Sequence, residues 1–204
     1  MAIRRHDFYQ FRMASSHVNK RTYITIQNID SPICDDMEKG IRHQPGDIPS
    51  YHALVTYPPD KPEYYVGQPP EDVLYSAPPY MTVADRFKAV IEEIAPSHCE
   101  FCPVHIDWPP LYPPMPRFWY TNWLKVIDCY DREKSDVDLN YYGPGVHSWN
   151  QYVIDPARVP PDAMIFKLGG DDGVTVIRHS IKTLLDKHKF RYLAWDPIRT
   201  SLDP

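Results

Sequence analysis

The residues best suited to chemistry lie in the segment Ser97-His-Cys-Glu-Phe-Cys-Pro-Val-His105. Cys99 and Cys102 form a CxxC pair, and His98 and His105 lie close to it. Zinc prefers thiolate and imidazole ligands, but a structural site needs four of them, and the rest of the chain offers no second Cys or His pair of this kind. We therefore expect no cofactor. The favoured interpretation is that these are small buried side chains on a strand. A zinc site formed by His98, Cys99, Cys102 and His105 is the weaker alternative.

Signatures of the common enzyme classes are missing from the sequence. It contains no GxSxG, HExxH, kinase set or Rossmann fingerprint. The glycine-rich stretch Gly169-Gly-Asp-Asp-Gly173 carries two aspartates that would repel a phosphate, so a hairpin turn explains it better than nucleotide binding. We expect a protein that is not an enzyme, with a zinc- or thiol-dependent hydrolase built on the CxxC segment as the alternative.

A second candidate site is an acidic stretch rich in aromatic residues. The residues expected to contact a partner protein are Asp131, Glu133, Asp136, Asp138, Tyr141, Tyr142 and Trp149. Tyr and Trp offer large contact areas at a low entropic cost, and carboxylates can pair with the Lys or Arg side chains of a basic partner. An ordinary solvated loop is the competing interpretation.

Hydrophobic patterning predicts the elements that must position these residues. β-branched and aromatic runs predict strands, and apolar residues at 3.6-residue spacing predict helices. The run at 123–130 fits either a buried strand or a buried helix. The expected elements are strands at 22–29, 51–57, 99–106 and 190–195, a hairpin at 163–178, a helix from Thr82 to Pro96, and a helix after an N-cap at Ser180.

Together these elements predict an α+β fold, with a mixed or antiparallel sheet and two main amphipathic helices in one domain, 1–204. With one gap, the helical segment that begins at Thr82 aligns with the segment that begins at Thr175. The alignment suggests two related strand-helix-strand lobes, 1–107 and 108–204. Chance similarity between two amphipathic helices is the alternative.

The composition argues against several functional classes. The chain has 27 acidic and 22 basic residues and a net charge of -5, whereas nucleic-acid binders need clustered excess positive charge. It has no apolar run of membrane-spanning length and no export signal after Arg4-Arg5, and its four cysteines are too few for a disulfide scaffold. We therefore expect a cytoplasmic protein that binds neither membrane nor nucleic acid and that suits a basic protein partner.

Two sequence blocks resemble a large bacterial family of immunity proteins from polymorphic toxin systems. The first includes Trp119-Tyr-Thr-Asn-Trp-Leu-Lys-Val-Ile-Asp-Cys-Tyr-Asp-Arg-Glu-Lys-Ser135, and the second runs from Met164-Ile-Phe-Lys-Leu168 to Tyr192-Leu-Ala-Trp195. The resemblance implies an α+β protein that binds and neutralises a cognate toxin in interbacterial competition, as with type VI secretion. It implies no catalytic residues. A further alternative is that the protein is an adaptor of a secretion machine.

Overall fold

The structure is a computed structural model that describes residues 7–13, 23–26, 36, 39–44, 46–48, 50–57, 72–74, 81–108, 115–139, 146–169 and 174–203. The α+β fold predicted from the sequence is confirmed. The helices delimited within the described residues are α1 (Asp85–Ile94) and α2 (His179–Lys187), with a short 3-10 turn at Pro156–Arg158. The strands are β1 (Phe8–Met13), β2 (Tyr23–Ile26), β3 (Tyr51–Tyr57), β4 (Val73–Leu74), β5 (Thr82–Ala84), β6 (Cys99–Asp107), β7 (Phe118–Trp123), β8 (Val126–Ile127), β9 (Asp136–Leu139), β10 (Val146–Gln151), β11 (Val153–Ile154), β12 (Ile165–Leu168), β13 (Thr175–Arg178), β14 (Leu193–Pro197) and β15 (Arg199–Thr200).

Two mixed sheets carry most of the strands. One has six strands in the order β2-β3-β6-β7-β5-β4, and its β3–β6 pair is parallel. The other has five strands in the order β14-β1-β13-β12-β8, and its β12–β8 pair is parallel. Two smaller sheets pair β9 with β10 and β11 with β15.

The largest hydrophobic cluster joins both sheets to both helices. It contains Phe87 and Ile91 of α1, Ile181 of α2, Trp123 of β7 and Phe11 of β1. Each helix buries one apolar face at 3.6-residue spacing, as the patterning predicts. The opposite face of each sheet contributes to a second and a third cluster, so each sheet is covered by apolar side chains on both sides.

The strand predictions hold where the local pattern is strong. Strand β3 matches the predicted 51–57, β6 nearly matches 99–106, and β12 with β13 forms the predicted hairpin. In the ambiguous run 123–130 the structure has the short strand β8. Both predicted helix caps are wrong: Thr82 lies in β5, Ser180 lies inside α2, and the residues at the cap positions are Ala84 and Arg178. No helix in the described part of the chain is long and apolar enough to cross a membrane.

The two aligned sequence segments share one topology. In each, a short strand pairs with the strand before it and leads directly into a helix, which is followed by another strand. The order β4-β5-β7-β6 therefore parallels β12-β13-β1-β14, and in both a strand from elsewhere in the chain lies antiparallel between the two strands that flank the helix. Strand β7 fills that place in the first unit and β1 fills it in the second. A common origin of the two units stays a prediction.

Candidate functional site

The acidic segment begins with a turn that connects residue 131 to β9. Asp131 is half-buried, and its carboxylate accepts hydrogen bonds from the backbone N–H groups of Glu133 at 3.0 Å and Lys134 at 3.1 Å. Its carbonyl oxygen accepts a third from the Ser135 backbone N–H at 2.9 Å. Aspartate commonly shapes turns in this way. Asp131 therefore stabilises the turn itself.

The charges of the turn are not balanced within it. Arg132 stacks over the Tyr130 ring at 5.0 Å and lies 3.6 Å from an Asp128 oxygen, while Lys134 donates to the carbonyl of residue 201 at 2.6 Å. Glu133 and Asp136 are exposed, and none of the ion pairs found among the described residues involves either of them. The basic side chains of the turn, Arg132 and Lys134, are thus held by contacts within the protein, whereas the carboxylates of Glu133 and Asp136 face solvent.

The rest of the predicted contact segment is described only in part. Strands β9 and β10 pair antiparallel, with Asp138 opposite Ser148 and Trp149 opposite Val137. These pairings fix the backbone register of the two strands and do not show side-chain contacts. Tyr141 and Tyr142 lie outside the described residues, so their role as contacts stays a prediction.

The CxxC segment forms β6, and the strand separates its two thiols. Side chains three residues apart on a strand point to opposite faces. Cys99 accordingly joins the core cluster that contains the helices, whereas Cys102 joins the cluster on the other face of the sheet. Burial raises the pKa of the Cys99 thiol well above its usual range and that of Cys102 to about 12, so both are protonated at neutral pH.

The two predicted histidines are also engaged elsewhere. The Nε2 atom of His98 lies 2.9 Å from the carbonyl oxygen of Asp162 and 3.2 Å from the amide nitrogen of Met164, which links the start of β6 to the segment before β12. His105 is exposed and stacks on His52 of the parallel strand β3, with ring centroids 5.3 Å apart. The structure therefore does not bring His98, Cys99, Cys102 and His105 together.

A different set of ligand-type side chains meets on the face of β6 that carries Cys102. Potential ligand atoms of His43, Glu100 and Cys102 all lie within 4.8 Å of one another. The Nδ1 atom of His43 lies 2.5 Å from Oε2 of Glu100, and the His43 backbone N–H donates to Oε1 of the same carboxylate at 3.1 Å. The side chains of His43 and Glu100 are only 10% and 8% exposed, so this is a buried polar cluster.

Asn122 of β7 completes the cluster from the neighbouring strand, where it lies opposite Glu100 in the ladder. Its Nδ2 group donates to the Glu100 carboxylate at 3.1 Å and to the carbonyl oxygen of Ile41 at 2.8 Å. Two buried atoms, Oδ1 of Asn122 and Nε2 of His43, have no hydrogen-bond partner. Buried polar atoms without partners are uncommon and call for an explanation such as a water or an ion.

A groove of about 470 Å³ lies beside the far end of β6 and the start of β7. Its walls include the aromatic side chains of Trp108, Phe118 and Trp119, together with Met115 and Arg117. Aromatic residues, Met and Arg are the types enriched in protein contact surfaces. The groove is therefore a second surface, beside the acidic turn, whose composition is typical of protein contacts.

Comparison with known families identifies the kind of protein. A family model described as "Immunity protein family (Imm11)" matches residues 7–200 of the 204-residue chain. The chain belongs to this family. The resemblance to bacterial immunity proteins seen in the sequence is thereby confirmed, and the match begins at residue 7, well before the two sequence blocks that carry the resemblance. No curated protein matches this Imm11 chain.

Sequence reasoning missed two members of the polar cluster in this Imm11 protein. His43 lies in a segment without hydrophobic periodicity, 57 residues from the carboxylate that it contacts. Asn122 stands in an otherwise apolar strand. One signal was available: Glu100 and Cys102 are two residues apart on a predicted strand, so they had to share a face. Reading the strand period would have favoured that pair over the CxxC pair.

Proposed function

We propose that this protein protects bacterial cells by binding a cognate toxin stoichiometrically in the cytoplasm and blocking its activity. The observation that carries the proposal is the match to an immunity protein family over residues 7–200. An immunity protein has a toxin as its partner, and inhibition by occlusion needs a contact surface and no catalytic group. A hydrolase built on the CxxC segment has less support, because β6 separates the two thiols and burial keeps both protonated.

Within this proposal, the acidic turn is one contact surface for a basic toxin. Glu133 and Asp136 are exposed and have no cation partner among the described residues, so pairing with a toxin Lys or Arg would break no existing ion pair. Exposed charges at the rim of an interface mainly accelerate encounter between the partners. Asp131 is a weaker contact candidate, since its carboxylate already holds the turn.

Co-expression tests the function directly. The toxin domain encoded beside this gene should arrest growth when produced alone, and co-production of this protein should restore growth. The two chains should also co-purify as a complex. Titrating the toxin's activity should give a sharp end point at a fixed molar ratio, because the inhibitor is consumed by binding. Inhibition that needs only trace amounts of this protein would instead indicate catalysis and would contradict the proposal.

Charge reversal tests the surface. The double variant Glu133→Lys/Asp136→Lys should slow association with the toxin by roughly 10-fold at low salt and much less at high salt, with little change in dissociation. The matched control is Asp47→Lys/Glu93→Lys, which makes the same change in net charge at two exposed positions away from the acidic turn and from the groove lining. Equal effects of the two doubles would show that only net charge matters and would remove the turn from the interface.

The aromatic groove supplies the competing surface. Arg117→Glu reverses a charge on its wall. If the toxin docks on the acidic turn, this variant should bind with nearly normal affinity and retain growth rescue. Loss of binding in Arg117→Glu together with normal binding of the turn variant would move the interface to the groove and leave the immunity function itself in place.

A further inference from the structure

We propose that His43, Glu100 and Cys102 form a zinc site that fastens the segment 39–44 to the six-stranded sheet. The site is distinct from the CxxC set suggested by the sequence, with which it shares only Cys102. It also departs from the sequence-based expectation that the protein has no cofactor. The inference does not depend on the proposed toxin-binding function.

Strand geometry produces the site. Glu100 and Cys102 alternate onto one face of β6, and Asn122 of β7 lies beside them in the ladder. His43 reaches the same place from another part of the chain, with its backbone and its ring both directed at the Glu100 carboxylate. Nitrogen, oxygen and sulfur ligands thus converge, with their atoms within 4.8 Å of one another. Ligand atoms around tetrahedral zinc are roughly 3.3–3.8 Å apart, so zinc binding would close the wider separations by at most about 1 Å and would widen the His43–Glu100 contact, now 2.5 Å, by roughly 1 Å.

The chemistry of the three side chains selects the metal. Zinc accepts imidazole, carboxylate and thiolate ligands together, whereas magnesium and calcium take oxygen ligands almost exclusively. On binding, the zinc ion would displace the thiol proton of Cys102 to solvent, and a sulfur–zinc bond would form. Three protein ligands leave a fourth position, which falls to water or to the buried Asn122 oxygen.

Two buried atoms of the cluster have no hydrogen-bond partner, and one of them, the Asn122 oxygen, supports a missing ligand at this place. The His43 side chain is 90% buried, and its Nε2 atom has no hydrogen-bond partner. Asn122 is fully buried, and its Oδ1 atom has none either. A direct His43–Glu100 hydrogen bond with an inert Cys102 accounts for the short contact between the ring and the carboxylate. It leaves the Asn122 oxygen unexplained, whereas an ion held by Nδ1 of His43 and by Glu100, or a water bound to that ion, offers this oxygen a partner.

The backbone of the segment is fitted closely to the sheet. Gly40 has a positive φ of 68°, and a Cβ atom at this position would lie 2.9 Å from the carbonyl oxygen of Leu124. Only glycine permits both the conformation and the approach. Ile41 is then placed so that its carbonyl oxygen accepts from Asn122, and His43 follows two residues later. A metal bond at His43 would fasten this segment more firmly than these hydrogen bonds do alone.

Metal analysis and cobalt substitution test the proposal. Untagged protein should purify with about one zinc ion per chain. After removal of zinc with a chelator, added Co2+ should produce the near-ultraviolet band of a cobalt–thiolate bond and the visible bands of a four-coordinate site. Cys102→Ser should abolish the thiolate band, and His43→Ala should weaken zinc binding by roughly 100-fold or more. Added zinc should raise the midpoint of thermal unfolding of wild-type apoprotein and should not raise that of His43→Ala.

Cys99→Ser is the matched control, because Cys99 is buried in the same strand but on its opposite face. It should keep the cobalt spectrum and bind zinc within about 3-fold of wild type. Loss of the thiolate band in this variant would favour a CxxC site and overturn the proposal. So would wild-type protein that binds no zinc, or normal affinity in His43→Ala. If Cys102→Ser fails to fold, His43→Ala decides the matter, since it alters a loop residue outside the hydrophobic clusters.

Discussion

Replacing Asp72 with Asn should weaken the contact between α1 and the segment that follows α2. Asp72 is only 6% exposed, and its carboxylate accepts two hydrogen bonds from Arg86 of α1, at 2.9 Å and 2.6 Å. It accepts a third from the backbone N–H of Arg191 at 2.8 Å. Arg86 in turn donates to the carbonyl of His188 at 2.9 Å and lies over the Phe190 ring at 4.6 Å. One carboxylate therefore ties the start of β4 to α1 and to the segment between α2 and β14.

The size of the effect follows from those three hydrogen bonds. A hydrogen bond to a charged group contributes about 1.5–3 kcal/mol to stability, and an amide can replace at most part of this acceptor capacity. The Arg86 side chain is 51% exposed, so water takes over some of its lost contacts and screens its charge. We therefore expect Asp72→Asn to lower the free energy of unfolding by about 2–3 kcal/mol.

The matched control lies on α1, the helix that carries Arg86. Glu92 is half exposed and pairs with Lys88 one turn away at 2.7 Å, an arrangement that contributes about 0.3–0.5 kcal/mol. Glu92→Gln removes the same charge as Asp72→Asn. Urea unfolding, followed by tryptophan fluorescence and circular dichroism, gives the free energy of each variant. If the free energies of unfolding of the two variants differ by less than about 0.5 kcal/mol, the bidentate Asp72–Arg86 contact does not stabilise the fold as argued.

Two other substitutions test local features. Both Gly40 and Gly46 have positive φ, but only at Gly40 would an added Cβ meet a backbone oxygen, that of Leu124, at 2.9 Å. Because of this clash, Gly40→Ala should lower the free energy of unfolding by about 1–2 kcal/mol more than Gly46→Ala. Urea unfolding that shows equal losses would contradict this packing. Burial raises the pKa of the Cys129 thiol from 9.0 to about 12. Its contribution is therefore fully present below pH 9 and is lost by about 1.4 kcal/mol per pH unit as the pH rises from 9 towards 12, because the unfolded chain loses the proton first. Cys129→Ala should lack this share of the alkaline destabilisation, and identical pH dependence in both proteins between pH 9 and 11 would refute it.

Local sequence patterns sufficed for many elements of this fold but not for its helix starts. Strand β3 and the hairpin of β12 and β13 follow from alternation and turn residues within a short window. Thr82 looks like an N-cap, yet its backbone pairs with Tyr120 of β7, so three residues that suit a helix start extend the sheet instead. The partner strand lies almost 40 residues along the chain, and no local pattern reports it.

Some features of the candidate sites could be predicted from the sequence, and others needed the three-dimensional fold. Exposure of Glu133 and Asp136 could be predicted from composition, and the family resemblance could be found from ordered motifs. The turn-stabilising role of Asp131 is local, but recognising it needs the backbone geometry of the turn. The cluster at Glu100 depends on a contact with His43, and only the three-dimensional fold brings these two residues together.

The strand that each strand-helix-strand unit receives from elsewhere in the chain shows how the two similar units share one hydrophobic core. Without β7, the six-stranded sheet would separate into β2-β3-β6 and β5-β4, and without β1, strand β14 would lose its only partner among the described strands. Phe11 of β1 contacts Phe87 of α1 and Trp123 of β7 as well as Trp195 of β14, with ring centroids 5.3–6.0 Å apart. The apolar face of each unit is therefore completed by residues of the other. Through this exchange both sheets and both helices pack on one core cluster.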